Sequence, residues 1–178
     1  MNLQSTEDRK IILSGDINQE SVRPIYDFII KMNREDEILL NNGVTYLDPI
    51  EILIDSYGGQ VHPAYGLMGV MNESITPIHT YGIGAVMSAA FGIYLMGDVR
   101  KATQFTTFMY HEVSSSLNGY IEEQKQQLTH DHHLQAVMDA VVTKKTKVRQ
   151  STLNKVRKEK RCWYIGYEEA LALNIVTK

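Results

Sequence analysis

Apolar residues along this chain alternate between short continuous runs and stretches with helical spacing. The continuous runs, which predict short buried strands, lie at 11–13, 50–54, 78–83 and 107–110. Helical spacing predicts helices at 19–32, 61–71, 87–96, 119–148 and 167–173. The 87–96 segment is apolar on nearly every side, which is typical of a buried helix. Because continuous apolar strands that alternate with helices indicate parallel pairing, the pattern predicts an α/β fold.

The longest predicted helix, 119–148, has an apolar stripe that needs a partner surface. Its apolar positions are Ile121, Leu128, Leu134, Val137, Met138, Val141 and Val148. We expect part of this stripe to pack against another subunit. No segment rich in proline, glycine or serine divides the 178 residues, so residues 1–178 are expected to form one domain.

Composition and charge exclude several classes of protein. Hydrophobic residues make up 43% of the chain and charged residues 22%, a balance that excludes intrinsic disorder. The net charge of −3 argues against a nucleic-acid partner. A single cysteine cannot form an internal disulfide, and no apolar run reaches the roughly 18 residues of a membrane span. The start of the sequence lacks the apolar stretch of a signal peptide, so we expect a cytoplasmic protein without a membrane partner.

Ser88 is the first candidate for chemistry, because it stands where a predicted strand gives way to the predicted buried helix. The surrounding sequence at 84–90 is Gly-Ala-Val-Met-Ser-Ala-Ala. A serine at this place has backbone N–H donors beside it that suit a developing oxyanion, and it is also typical of a helix N-cap. The spacing is not G-x-S-x-G, which argues against the nucleophile elbow of α/β-hydrolases.

Two further segments carry candidate residues. Gly58 and Gly59 follow a predicted buried strand, where paired glycines allow a tight turn or the close approach of a ligand backbone. His111 follows the apolar run at 107–110. Each feature alone has a structural interpretation, a plain turn or a structural histidine. Together with Ser88, they form an ordered set of a glycine pair, a serine and a histidine.

With these residues in place, the sequence resembles the ClpP family of self-compartmentalising serine peptidases. The matching stretches, which follow one another in family order, are 10–15, 54–59, 84–88, 108–111 and 168–176. The resemblance implies a ClpP/crotonase-like α/β fold of stacked ββα units in a superhelix. It also implies that the long predicted helix belongs to a handle region, about 113–150, between subunits.

The resemblance also implies roles for individual residues in a serine-type endopeptidase. Ser88 falls on the nucleophile, His111 on the general base, and Gly59 and Ala89 on the two N–H donors of the oxyanion hole. The segments expected to pair with an extended polypeptide substrate comprise Gly58, Gly59, Gln60 and Val61, followed by Glu112 and Val113. Peptide hydrolysis of this kind needs no metal and no cofactor.

For the assembly, the resemblance implies a homo-oligomer of heptameric rings stacked as a tetradecamer. Polypeptides would be cleaved inside these rings. An AAA+ unfoldase would be the partner that supplies folded proteins, and ATP would enter only through that partner.

Cys162 departs from the family pattern, because it falls on the position of the catalytic aspartate. A thiol is mostly neutral at pH 7 and is a poor substitute for a carboxylate that orients an imidazole. Three interpretations remain open: another carboxylate such as Asp139 or Glu159 replaces it, a Ser–His dyad works slowly, or the chain is a degenerate subunit. As a nucleophile Cys162 is disfavoured, and we expect it to be a small buried side chain.

Two milder departures concern substrate and partner. Tyr57 stands where proline is usual before the glycine pair, which would alter a substrate subsite. The first predicted strand begins at residue 11, whereas family members often carry a longer segment there that lines the axial pore. This difference bears on gating and on docking of the unfoldase.

Other polar clusters have simpler interpretations. His130 and His133 would share a helix face, but a zinc site needs three or four ligands and no supporting motif is present, so a solvated face is favoured. The segment 144–161 is rich in lysine and arginine without interleaved aromatic residues, which favours a solvated or intersubunit surface.

Four functions are therefore considered. The favoured one is a ClpP-like peptidase whose activity is reduced by Cys162. The alternatives are a catalytically weak or inactive structural subunit of a mixed ring, a specialised viral maturation protease, and acyl-CoA chemistry of the crotonase type. The last would leave Ser88 and His111 without a role.

Overall fold

A computed structural model of the chain describes residues 9–116 and 118–177. Its strands are β1 (Lys10–Ile17), β2 (Ile50–Gly59), β3 (Ile78–Met87), β4 (Val99–Ala102), β5 (Thr107–Tyr110) and β6 (Trp163–Ile165). Its helices are α1 (Gln19–Asn41), α2 (Val61–Asn72), α3 (Ala89–Leu95), α4 (Ile121–Lys145), α5 (Gln150–Lys158) and α6 (Tyr167–Ala172). Residues 1–8, most of the segment whose length bears on gating and unfoldase docking, lie outside the described residues.

The strands form one sheet in the order β1-β2-β3-β5-β6, with β4 also paired to β3. The pairs from β1 to β5 are parallel, and β6 runs antiparallel to β5. The predicted α/β architecture with parallel strands is therefore confirmed, while β4 and β6 were not predicted. Both are short: β4 is Val-Arg-Lys-Ala, which has no continuous apolar run, and β6 has only the three residues Trp-Tyr-Ile.

The core is built where the parallel strands meet α3. Ile50, Ile52 and Ile54 on β2 are fully buried, and every residue of α3 is buried, as its apolar sequence predicted. Burying a side chain of this size contributes about 1.5–3 kcal/mol relative to leaving it exposed. Ser88 thus lies partly buried at the junction of β3 with this fully buried helix.

Helix α1 ends at Asn41 rather than near residue 32, because a buried carboxylate interrupts its apolar pattern. Asp36 lies one turn after Met32 on the same buried face. It accepts hydrogen bonds from Arg9 at 2.9 and 2.5 Å and from the hydroxyl of Thr76 at 2.6 Å. This cluster ties α1 to the chain before β1 and before β3.

Helix α4, the handle helix, spans Ile121–Lys145 rather than 119–148. Leu134 and Met138 near its C-terminal end are buried within the chain. Toward its N-terminal end, Ile121 is 72% exposed and Leu128 is 47% exposed. The apolar stripe is thus covered by its own subunit over only part of its length.

The basic segment 144–161 contains helix α5, which was not predicted. Leu153 and Val156 face the core, while the basic side chains cover the other faces. No helix in the described residues is long and apolar enough to cross a membrane.

Candidate active site

Ser88 occupies a strained turn between β3 and α3. Its backbone angles are φ 53° and ψ −122°, a conformation that residues with a Cβ rarely adopt and that costs roughly 1–3 kcal/mol. Its N–H donates to the carbonyl of Met109 at 2.8 Å, which fixes the turn to β5. Ser88 is the N-cap residue of α3, as its position in the sequence suggested, but its side chain makes no capping hydrogen bond to the helix.

The Ser88 hydroxyl instead contacts His111, which directly follows β5. Nε2 of His111 lies 2.7 Å from Oγ of Ser88. Burial lowers the pKa of the His111 imidazole from the ordinary 6.5, because the charged form loses solvation. The imidazole is therefore held neutral, the state in which it can accept a proton from the hydroxyl.

The glycine pair forms the opposite wall of this site. Gly58 has φ +107° and Gly59 has φ +149°. A Cβ on Gly58 would lie 2.7 Å from Cβ of Ser88, and one on Gly59 would lie 2.4 Å from the carbonyl oxygen of Ile17. Only glycine allows the turn to approach Ser88 and β1 this closely.

Ser56 and Asp55 hold the two turns in place. The hydroxyl of Ser56 donates to the Gly15 carbonyl at 2.5 Å and accepts from the Gly58 N–H at 3.1 Å. Asp55 accepts from the N–H of Ala85 at 2.8 Å, on the strand that leads into Ser88. Neither residue was singled out from the sequence, although both lie in the segment that carries the family resemblance.

These walls enclose a small cavity of about 60 Å³ in front of Ser88. It is lined by Gly59, Val61, Tyr65, Ser88, Ala89, Tyr110, His111, Val113, Ser114 and Met138. The cavity thus gathers Ser88, His111 and both expected oxyanion residues, and its floor is largely apolar. The Tyr65 hydroxyl donates to the Leu134 carbonyl at 2.5 Å, and burial raises its pKa to about 12.

Half of the residues expected to pair with a substrate line the cavity, namely Gly59, Val61 and Val113. Gln60 has an extended backbone, with φ −71° and ψ 132°, but Val61 is already the first residue of α2. The N–H of Val113 is engaged with Oε1 of Gln135 at 2.7 Å. On the side of the glycine pair, the extended backbone that a substrate strand could pair with therefore ends at Gln60. Tyr57 is 76% exposed and does not line the cavity.

Cys162 directly precedes β6, and His111 directly follows β5. Within the described residues, the two side chains make no hydrogen bond to each other. The antiparallel register joins Phe108 to Ile165, Met109 to Tyr164 and Tyr110 to Trp163. Extending it by one residue sets Cys162 opposite His111. The thiol is exposed, so the expectation of a small buried side chain is wrong.

Asp139 and Glu159 were considered as replacements for the family aspartate, but neither carboxylate contacts the His111 ring. In the described residues, this ring makes its side-chain hydrogen bond to Ser88. Glu159 pairs with Arg161 at 2.6 Å and with Lys155 at 3.8 Å. The carboxylate of Asp139 is buried and engaged by four donors. Burial alone would raise its pKa, but hydrogen bonds from these donors lower it; they are Tyr110, Gln150, Arg157 and Gln135.

The histidines of the handle helix lie on an exposed surface, as the sequence pattern favoured. His130 contacts His62 of α2 rather than His133, with Nε2 atoms 3.3 Å apart. In the described part of the chain, no group of three or more histidine, cysteine, aspartate or glutamate side chains could hold a metal ion.

Known proteins resemble this chain in sequence and in fold. The relatives include the ATP-dependent Clp protease proteolytic subunit 2 of Treponema pallidum (strain Nichols), 23% identical over 96% of this chain and 81% of that protein. The protein of the same name from Borreliella burgdorferi is 22% identical over 84% of this chain and 72% of that protein. A ClpP1 mutant structure from Listeria monocytogenes has a TM-score of 0.79 and 20% identity, over 94% of this chain and 88% of that chain.

The structural likeness confirms the predicted ClpP-like α/β fold. The family model described as Clp protease matches residues 3–178, nearly the full sequence. The chain therefore belongs to the Clp protease family.

Proposed function

We propose that the chain is a serine endopeptidase that cleaves peptides or unfolded polypeptides through an acyl-enzyme on Ser88. The observation that carries this proposal is the 2.7 Å contact between Oγ of Ser88 and Nε2 of His111. A hydroxyl beside a neutral imidazole, on a strained strand-to-helix turn, is the arrangement of an activated nucleophile.

In the proposed reaction, His111 accepts the hydroxyl proton while Ser88 Oγ bonds to the carbonyl carbon of the substrate. The N–H groups of Gly59 and Ala89 donate to the oxyanion that forms. Ala89 is the first residue of α3, so its N–H has no partner inside the helix. His111 then gives the proton to the leaving amine, and a water molecule releases the acyl group by the same route. The proposed steps use no metal or organic cofactor.

The proposed enzyme is slow because the imidazolium that forms on His111 has no carboxylate beside it. Loss of the aspartate from other serine proteases costs about 10⁴ in kcat. The exposed thiol of Cys162 does not supply the missing charge. Residual catalysis would come from the Ser88–His111 dyad and the two N–H donors.

We also propose assembly into heptameric rings stacked as a tetradecamer, with polypeptide substrates cleaved inside. The exposed Ile121 and Leu128 on the handle helix support contact with a second copy. The relatives are named ATP-dependent Clp protease proteolytic subunits, which supports an AAA+ unfoldase as the partner through which ATP acts.

The test combines turnover with covalent labelling. The wild type should hydrolyse fluorogenic peptides and react with a serine-directed phosphonate that maps to Ser88 by mass spectrometry. Ser88→Ala should abolish both signals, whereas Ser151→Ala, which changes an exposed serine of α5, should keep both.

A second function, a structural subunit of a mixed ring, is favoured by one observation: the His111 ring has no described partner other than Ser88. In that case the wild type and Ser88→Ala would show the same background rate and no labelling. The chain would still enter rings formed by active subunits. This outcome would overturn the proposed peptidase.

A further inference from the structure

His62 and His130 are far apart in the sequence but contact each other in the structure. Neither residue lines the cavity in front of Ser88. Their Nε2 atoms lie 3.3 Å apart, and their ring centroids are separated by 5.3 Å with an angle of 18° between the planes. His62 is the second residue of α2, and His130 lies near the middle of the handle helix. The contact therefore joins two helices through a pair of exposed imidazoles.

This spacing resembles that of two imidazoles on one metal ion. Zinc–nitrogen bonds of 2.0–2.1 Å at tetrahedral angles place two ligand nitrogens about 3.3 Å apart and their ring centroids about 5.2 Å apart. Protein N–H donors usually lie about 2.9–3.0 Å from their acceptors, which is shorter than the contact observed here. In the metal-free protein one Nε2–H donates to the other Nε2, and a bound cation would take the place of that proton.

We propose that His62 and His130 form a two-histidine chelate for a divalent cation of the zinc, nickel or copper type. Imidazole nitrogen suits these metals, and neutral imidazole is the ligand form. In the described residues no third histidine, cysteine, aspartate or glutamate completes the pair, so water fills the remaining positions. The carboxylate of the neighbouring Asp131 is engaged with Ser115 and with Gln127.

The proposed chelate uses a different pair from the two histidines that the sequence places on one helix face. His130 and His133 share a face in helical spacing, but the structure turns His130 toward α2 instead. A cation bound there would tie the handle helix to α2, which begins two residues after Gly59. Because the bound ion stabilises only the folded arrangement, it would also raise the melting temperature. This proposal does not depend on peptidase activity.

The experiment is isothermal titration of the full chain, freed of metal by chelator and dialysis, with ZnCl₂ and with NiCl₂. We expect one ion bound per chain, together with a rise in melting temperature. His62→Gln and His130→Gln should each weaken binding about tenfold or more and remove the thermal shift. His133→Gln is the matched control on the same exposed helix, and it should bind like the wild type.

Three results would overturn the proposal. The first is no uptake by the wild type, which would leave an ordinary contact between two histidines. The second is wild-type binding by His62→Gln, which would place the ion elsewhere. The third is loss of binding in His133→Gln, which would assign the ion to the pair on one helix. None of these three results depends on whether Ser88 is a nucleophile, so they test the chelate separately from the proposed peptidase.

Discussion

Tyr110 and Trp163 form the last pair of the β5–β6 ladder, one residue before His111 and one residue after Cys162. Continuing the register by one position would pair Cys162 with His111. A thiol at that position is a poor substitute for a carboxylate. This relationship makes the effect of restoring a carboxylate testable.

Cys162→Asp should raise kcat for peptide hydrolysis, by about tenfold or more and at most about 10⁴-fold. The physical reason is that a carboxylate opposite His111 would stabilise the imidazolium formed in the transition state. Steady-state kinetics with a fluorogenic peptide measure the change. Cys162→Asn is the matched control, because it has a similar shape without the charge, and it should give little gain. Equal rates for both variants would contradict this account.

The pH profile of kcat/KM should reveal the environment of His111. Burial lowers the pKa of this imidazole from 6.5, so the wild type should retain its neutral, active form to a pH below that value. In Cys162→Asp the new negative charge favours the imidazolium and should move the acid limb upward. Rates measured at about half-unit steps from pH 4.5 to 8 determine the midpoints of the acid limb in the wild type and in Cys162→Asp. A wild-type midpoint above that of the variant would show that burial does not control His111.

Gly58→Ala should lower kcat/KM by roughly 100-fold, because a small displacement of a catalytic group has costs of this order. The added Cβ would lie 2.7 Å from Cβ of Ser88 and 2.9 Å from the carbonyl oxygen of Met87, and the backbone angle of +107° disfavours alanine. Kinetics and melting temperature should be measured together. Gly69→Ala in α2 is the control, because an added Cβ there meets nothing within 4 Å. That variant should stay active and gain about 0.5–1 kcal/mol in unfolding free energy.

Tyr65→Ala should widen the preference of the enzyme for the residue before the cleaved bond. Tyr65 lines the cavity in front of Ser88, so its ring fills part of the space that a substrate side chain could enter. Removing the Tyr65 ring should raise kcat/KM for phenylalanine relative to alanine at this position by about tenfold. Paired peptide substrates measure the ratio. Tyr65→Phe keeps the ring volume and should keep the wild-type ratio, so a change in that variant would assign selectivity to the hydroxyl.

Asp36→Ala should lower the free energy of unfolding by about 3–5 kcal/mol, because it leaves the Arg9 guanidinium buried and unpaired. Urea denaturation measures this change. Asp27→Ala, which removes an exposed ion pair with Arg23 on the same helix, should cost about 0.3–0.5 kcal/mol. A similar loss in both variants would contradict the role given to burial.

The same carboxylate should make wild-type stability depend on pH. Burial alone would raise the pKa of Asp36, but hydrogen bonds from Arg9 and Thr76 together lower it. Its contribution is therefore present above the ordinary carboxyl range and is lost as the pH falls through the lowered value. Asp36→Ala should flatten this dependence below about pH 5.

The residues that carry the candidate chemistry could be predicted from the sequence, because they stand at the ends of apolar strands. Ser88, His111 and the glycine pair each follow such a run, and parallel strands bring their carboxyl ends together. Asp36 and Asp55 were missed, since a buried carboxylate has no apolar signature and is identified only by its donors. Cys162 was expected to be buried but is exposed, because burial depends on neighbours far away in the chain.

The sequence by itself determined the α/β class, the family resemblance and the order of the candidate site residues. Short-range apolar periodicity and turn residues encode these features. Only the tertiary structure decided that the Ser88 hydroxyl turns to His111, that Asp139 is engaged by four donors, and that His130 meets His62. Apart from the hydrogen bond between Gln135 and Asp139 within α4, these contacts join residues from separate parts of the fold. Their geometry depends on how the whole core packs, which no local pattern specifies.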